Sequence, residues 1–346
     1  MFLSRIEIMS RLRPFLAALL TSAAVATAAS AEEVNVYTTR EPGLFAPLAA
    51  AFTAQTGIKV NTVFVKDGLA ERVAAEGAAS PADVLMTVDV GNLVDLVDKG
   101  VTKPMKSAAV EAAVPANLRA ADGAWTALSL RARLVWADKA VGLEAISYED
   151  LADPKWKGRI CIRSGQHPYN TALVAAMIAH VGEAKAEAWL TGVKANLAKK
   201  PGGGDRDVAR DILGGLCTIG VGNSYYVGLM RSGAGGPEQK KWGDGVDVVL
   251  PSFTGGGTHV NATGAALAKH APNEAAAKKL IEYLVSPTGQ KVYAEQNFEY
   301  PVNAAAAITP TVAALGALKP DAVPLAEIAK NRKAASLLVD KVRFDQ

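Results

Sequence analysis

The groups in this chain best suited to chemistry are phenols and guanidinium forks. Tyr225 and Tyr226 stand side by side after Gly222-Asn223-Ser224, and they are two of only eight tyrosines. A phenol titrates near pH ~10 and is neutral under ordinary conditions, but beside a highly charged cation it becomes a hard anionic oxygen donor. Neighbouring residues on a regular helix point about 100° apart. The pair is therefore expected to converge in an irregular turn, where a strand at residues 218–221 passes into a helix. Tyr169 lies in Arg163-Ser164-Gly165-Gln166-His167-Pro168-Tyr169-Asn170. Arg40, Arg131 and Arg133 offer forked donors that match an anion. Arg131 and Arg133 occupy alternate positions and so share one strand face; either one of them faces a ligand cleft, or they serve salt bridges along a crossover strand. Gly255-Gly256-Gly257-Thr258 could cradle an anion with backbone N–H groups. It lacks the Lys-Ser/Thr ending of a nucleotide loop and is read as a loop near a hinge.

The remaining polar residues carry plainer expectations. Asn170 is expected to cap the helix that comes after it. His167 is read as a solvated loop residue, His180, His259 and His270 as surface residues, Tyr37 as core, and Asp205-Arg206-Asp207 as a solvated helix start. No Gly-x-Ser-x-Gly elbow, His-Glu-x-x-His helix or Cys-His pairing is present, so catalysis is not expected.

The elements that must position these groups alternate between strand and helix. Strand-like runs at residues 34–37, 58–65, 82–87, 159–163, 218–221 and 246–250 alternate with helical runs at 46–55, 69–76, 171–180, after Tyr226, and at 274–284. That alternation predicts an α/β protein with parallel, doubly covered sheet. Upstream, Arg5, Arg11 and Arg13 precede an apolar run from Pro14 to about Ala28 and the small-x-small site Ala29-Ser30-Ala31. Residues 1–31 therefore read as a secretory signal peptide. The run is short for a membrane span, which needs roughly 20 apolar residues. The chain beyond the leader is long enough for about two domains. The composition, 50% hydrophobic and 21% charged, is that of a globular chain. The formal net charge of +3 comes mostly from the leader. No basic run or basic-aromatic interleaving points to nucleic acid. Cys161 and Cys217, the two cysteines of an exported chain, are expected to form a disulfide.

Four segments give a more specific likeness. Ala82-Asp83-Val84, Asp153-Pro154-Lys155-Trp156-Lys157-Gly158, Gly222-Asn223-Ser224-Tyr225-Tyr226 and Glu299-Tyr300-Pro301 together resemble the periplasmic ferric-iron-binding proteins of ABC transporters. The resemblance implies a two-lobed type 2 periplasmic-binding-protein fold, transferrin-like, with the ligand cleft between lobes. One lobe would take residues 33–130 plus 252–305 and the other 131–251 plus 306–346. It implies that Tyr169, Tyr225 and Tyr226 hold Fe3+ as cargo. Arg40-Glu41-Pro42 stands where some members carry a histidine or a His-Tyr pair. The chain is therefore closer to the branch that completes the shell with a synergistic anion, commonly carbonate, held here by Arg40 with Arg131 as a second candidate. It further implies a periplasmic monomer that docks on an inner-membrane ABC transporter permease.

A binding protein for a small anion such as phosphate, sulfate or a carboxylate would use the same fold. It would take Arg40, Arg131 and the glycine loop as its site, without metal. Tight anion binding by the metal-free protein separates the two.

Overall fold

Two aliphatic residues buried on one side of a six-residue run, Val34 and Val36, set the first strand, β1 (Glu33–Thr38). The computed structural model describes residues 32–346; the leader assigned to residues 1–31 lies outside them. From β1 the chain enters α1 (Pro42–Thr56), which closes on Gly57 in the left-handed region at φ 74°. Next in order come β2 (Lys59–Phe64), α2 (Leu69–Glu76), β3 (Val84–Thr87) and α3 (Val90–Asp98). β1 is parallel to both β2 and β3. α3 starts where the Asp89 carboxylate accepts from the Asn92 backbone N–H, a side-chain cap on otherwise orphaned donors. Short β4 (Thr102–Lys103) and α4 (Ala108–Ala113) lead into β5 (Thr126–Asp138), 13 residues long and buried except at its last residue.

β5 belongs to two half-sheets. Its residues 126–132 pair antiparallel with β9 (Val260–Ala268), and Tyr300–Pro301, the short β10, joins at Leu130 and Ser129. Its residues 133–138 change partner, to β7 (Ile219–Asn223) and β8 (Val246–Val249). β6 (Ile160–Cys161) lies parallel to β7 at the far edge. The strand order is β2-β1-β3-β9-β5-β7-β6. The sheet is therefore mixed rather than wholly parallel. The antiparallel strands β5 and β9 join two regions that, taken separately, have the expected parallel character.

The second half-sheet carries α5 (Pro168–Val181), α6 (Glu183–Ala195), α7 (Asp205–Leu213) and α8 (Ser224–Ser232). α7 packs directly on β7, and Gly220 allows it to seat: a Cβ there would meet a Val208 methyl at 2.2 Å. Gly222 makes room for the neighbouring strand instead, since a Cβ there would meet the Trp136 ring of β5 at 2.3 Å. The helices Leu325–Lys330 and Arg332–Lys341 close over α5.

Cys161 and Cys217 are bonded, with Cα atoms 5.8 Å apart. The bridge ties β6 to the segment that enters β7. Closing 56 residues contributes about 4 kcal/mol in the chain-entropy account. Among the described residues no helix is long and apolar enough to cross a membrane.

Candidate functional site

The three tyrosines singled out from sequence meet at the first turns of two helices. His167 caps α5, its Nδ1 accepting from the Tyr169 backbone N–H at 3.2 Å, and Pro168 occupies the first helical position, where no N–H is missed. Tyr169 is the next residue. Asn223 ends β7 and precedes α8, so Tyr225 and Tyr226 fall in the first turn of α8. The Tyr169 and Tyr225 hydroxyls are 3.3 Å apart, and the Tyr225 and Tyr226 rings are 4.1 Å apart between centroids. The paired tyrosines are thus helical, not in an irregular turn. They converge because helical side chains lean toward the helix N-terminus, and the space over a first turn is reached by neighbours that would diverge further along.

That space is a cavity of about 370 Å³, lined by Tyr169, Tyr225, Tyr226, Arg131, Arg40 and Arg206, among others. Its opposite wall comes from the β1–α1 turn, with Thr39 and Glu41, and from residues 296–299. Phe298 holds the left-handed region at φ 56° and packs on α8, where Gly228 leaves room for it; a Cβ there would fall 2.5 Å from that of Phe298.

The arginines differ in their commitments. Arg40 is 2% exposed, its Nη2 bound to Glu299 Oε1 at 2.6 Å and its Nη1 to Thr263 Oγ1 at 2.7 Å; its Nε has no partner. Ser129 also binds Glu299. Arg131, equally buried, has Nε and Nη2 with no hydrogen-bond partner among the described residues, and its guanidinium carbon lies 5.7 Å from the Tyr169 ring centroid. Arg133, on the same strand face, is 5.9 Å from that ring and forms a buried ion pair with Asp205 at 2.6 Å. Arg131 thus lines the cavity, whereas Arg133 serves a salt bridge beneath it.

Burial pushes the Tyr225 phenol well above its ordinary range, and neighbouring Tyr169 and Tyr226 push it the same way. Tyr226 is pushed up to about 12, chiefly by burial and then by Tyr169 and Asp205. Without a cation both phenols keep their protons at neutral pH. Helix N-termini carry partial positive charge, so the first turns of α5 and α8 favour negative oxygens once those protons leave.

Several polar residues lie elsewhere than expected. His167, not Asn170, caps α5, and it is half-buried with its ring against that of Tyr169. Burial first, and then the Arg163 charge, hold its imidazole down at about 4. Asp205 begins α7 but is 1% exposed rather than solvated. His259 is buried, not superficial, and burial pushes its imidazole down to about 3. His180 is partly buried and bound to Asp321 at 2.7 Å, whereas His270 is exposed. The glycine loop spends its N–H groups within the fold: Gly257 donates to Asp321 and Thr258 to Lys319. Tyr37 is core, its hydroxyl 3.3 Å from Glu76. Arg206, 5.4 Å from the Tyr226 ring, and the wall residues 296–298 carry no recognisable sequence signal. Among the described residues no group of three or more His, Cys, Asp or Glu is arranged to hold a metal.

Residues 79–319 match the family described as bacterial extracellular solute-binding proteins. The chain is 41% identical over 297 residues to Iron uptake protein A1 of Synechocystis sp., covering 85% of this chain and 82% of that protein. It superposes on the solved Bordetella ferric binding protein with a TM-score of 0.87 at 62% identity, covering 91% of this chain and 100% of that one. A Trichodesmium protein solved in complex with iron and citrate ligands is similar at a TM-score of 0.85 and 39% identity, over 90% of this chain and 99% of that one.

Proposed function

Because the chain belongs to the family of bacterial extracellular solute-binding proteins, which bind rather than transform their solutes, we propose that it captures ferric iron for uptake. The phenolate oxygens of Tyr169, Tyr225 and Tyr226 hold the ion, and a small anion completes the shell. One lobe, residues 33–130 plus 252–305, supplies Arg40; the other, 131–251 plus 306–346, supplies the tyrosines. Closure of the lobes encloses the ion, and the loaded protein docks in the periplasm, as a monomer, on an ABC transporter permease. The names of the similar proteins support iron as the cargo.

The observation that carries the reading is the meeting of three phenols beside a buried arginine with no partner of its own. Fe3+ is small and hard and prefers anionic oxygen. Three phenolates neutralise it, each releasing a proton as it ligates. Arg131 is then a buried cation whose Nε and Nη2 have no hydrogen-bond partner among the described residues, a costly state. An anion on the metal, carbonate being the simplest, gives Arg131 its forked partner. The unpartnered Nε of Arg40 faces the same need from the other lobe.

Ferric iron added with bicarbonate to metal-stripped protein is expected to give a visible phenolate-to-iron charge-transfer band that Tyr226→Phe and Tyr225→Phe abolish or displace while the fold stays intact. No band, with phosphate, sulfate or a carboxylate bound tightly by the metal-free protein, would instead make Arg131 the centre of a simple anion site.

A further inference from the structure

Beneath the tyrosines lies a buried polar network in which Arg133 touches all three helix starts around the cavity. Its Nη1 donates to Asp205 Oδ2 at 2.6 Å and to Asn223 Oδ1 at 3.1 Å; its Nη2 donates to Asn170 Oδ1 at 2.6 Å. Asp205 is the first residue of α7, Asn170 the third of α5, and Asn223 the residue before α8. The partners are cross-tied. Asp205 Oδ2 also accepts from the Asn223 backbone N–H at 2.8 Å, Asp205 Oδ1 accepts from Arg163 Nη1 at 3.3 Å, and Asn170 Nδ2 donates to the Arg163 and Ser164 carbonyls. Arg133, Asp205, Asn170 and Asn223 are each no more than 3% exposed. None of the four lines the cavity, but Asn170 adjoins Tyr169 and Asn223 lies two residues before Tyr225.

We propose that Arg133 is a positioning residue: one guanidinium fixes the first turns of α5 and α8 against α7, so that the hydroxyls of Tyr169, Tyr225 and Tyr226 converge before any cargo arrives. The inference rests on the tyrosine reading above. Stability alone does not call for such a network, since a buried ion pair can often be replaced by well-packed apolar side chains at no loss. Apolar packing does not aim a helix start, whereas hydrogen bonds of 2.6–3.1 Å to two nitrogens of a planar fork do. The use of Asn223 supports this. It stands at the cap position of α8, yet its side chain makes no cap bond and accepts from Arg133 instead. Groups that orient metal-binding side chains typically change metal affinity by about 10- to 100-fold when removed.

The test uses Arg133→Lys, which keeps the charge opposite Asp205 but replaces the planar two-nitrogen fork with one ammonium centre, and Asn170→Ala, which cuts the arm to α5 alone. Crystal structures of both metal-free variants are expected to show the Tyr169 and Tyr225 hydroxyls separated beyond the 3.3 Å contact. With far-UV circular dichroism unchanged, ferric affinity measured against citrate should fall by about 10- to 100-fold, with a shifted charge-transfer maximum. If Arg133→Lys does not fold, Asn170→Ala decides alone. A folded variant set that keeps the hydroxyl contact, the affinity and the band of the parent overturns the proposal. Absence of the band in the parent protein would instead overturn tyrosine ligation, and the metal-free structures would still decide whether the network aims the rings.

Discussion

Arg131 and Arg133 are two residues apart, on one face of one strand, both buried and lying 5.7 and 5.9 Å from the Tyr169 ring, yet their surroundings are opposite. Arg133 opens the half of β5 that pairs with β7 and finds Asp205, Asn223 and Asn170 waiting. Arg131 lies next to last in the half that pairs with β9, and its Nε and Nη2 find no acceptor among the described residues. A buried charge whose two Nη atoms are held by a carboxylate and two amide oxygens belongs to the scaffold. A buried charge left without a partner is tolerated where something else arrives to complete it. The difference marks where scaffold ends and the cavity wall begins, and it falls where β5 changes partner.

The sharpest way to break that contrast is Arg133→Met, which strands Asp205 without its cation. It should cost about 3–5 kcal/mol in chemical denaturation of the metal-free protein. Arg131→Met should do the reverse. Removing an unpaired buried cation should leave the metal-free protein as stable as before or more stable by about 1 kcal/mol. Its ferric affinity should fall by about 10- to 100-fold and no longer depend on bicarbonate. Equal destabilisation by the two substitutions would dissolve the distinction between them.

Acidification probes both sides of the join more gently. The His167 imidazole, beside Tyr169, is held down at about 4 and that of His259, where β9 begins, at about 3, both mainly by burial. Each folded value lies below the ordinary ~6.5, so the unfolded chain takes up these protons first. Stability from this source is therefore complete above about pH 6.5 and declines as pH falls toward 4 and then 3. Thermal midpoints of the metal-free protein across that window should drop, and His167→Asn should flatten the upper part of the decline. The smallest effect is expected of Tyr37→Phe. It removes a long hydrogen bond to Glu76 outside the cavity, costing about 0.5 kcal/mol and leaving the ferric band untouched. A changed band in that variant would mean that tyrosine content, not the cavity, governs the colour.

The legibility of the chain tracks the locality of its signals. The helix Leu69–Glu76 and the helix Glu274–Val285 stand where their periodicity puts them, to within a residue. β9 carries no such signal: Asn261, Thr263 and Gly264 interrupt its apolar run, although all nine of its residues are buried. Gly264 is small because Leu93 presses on it; a Cβ there would lie 2.4 Å from a Leu93 methyl. β5 is legible only in part, since two arginines in a buried strand look like surface residues until their partners are known.

Short-range pattern was enough to single out Tyr225-Tyr226, Tyr169 and the two cysteines, but it started both helices too late, at residue 171 and after Tyr226, whereas they begin at Pro168 and Ser224 and carry the tyrosines in their first turns. Packing was needed to settle which arginine is free, that Asp205 is buried, and that Tyr169 meets a tyrosine 56 residues away. Those outcomes depend on three helix starts packed at one strand junction. A charged side chain's role is set by the acceptors that distant elements bring within about 3 Å of it, and no local pattern specifies those.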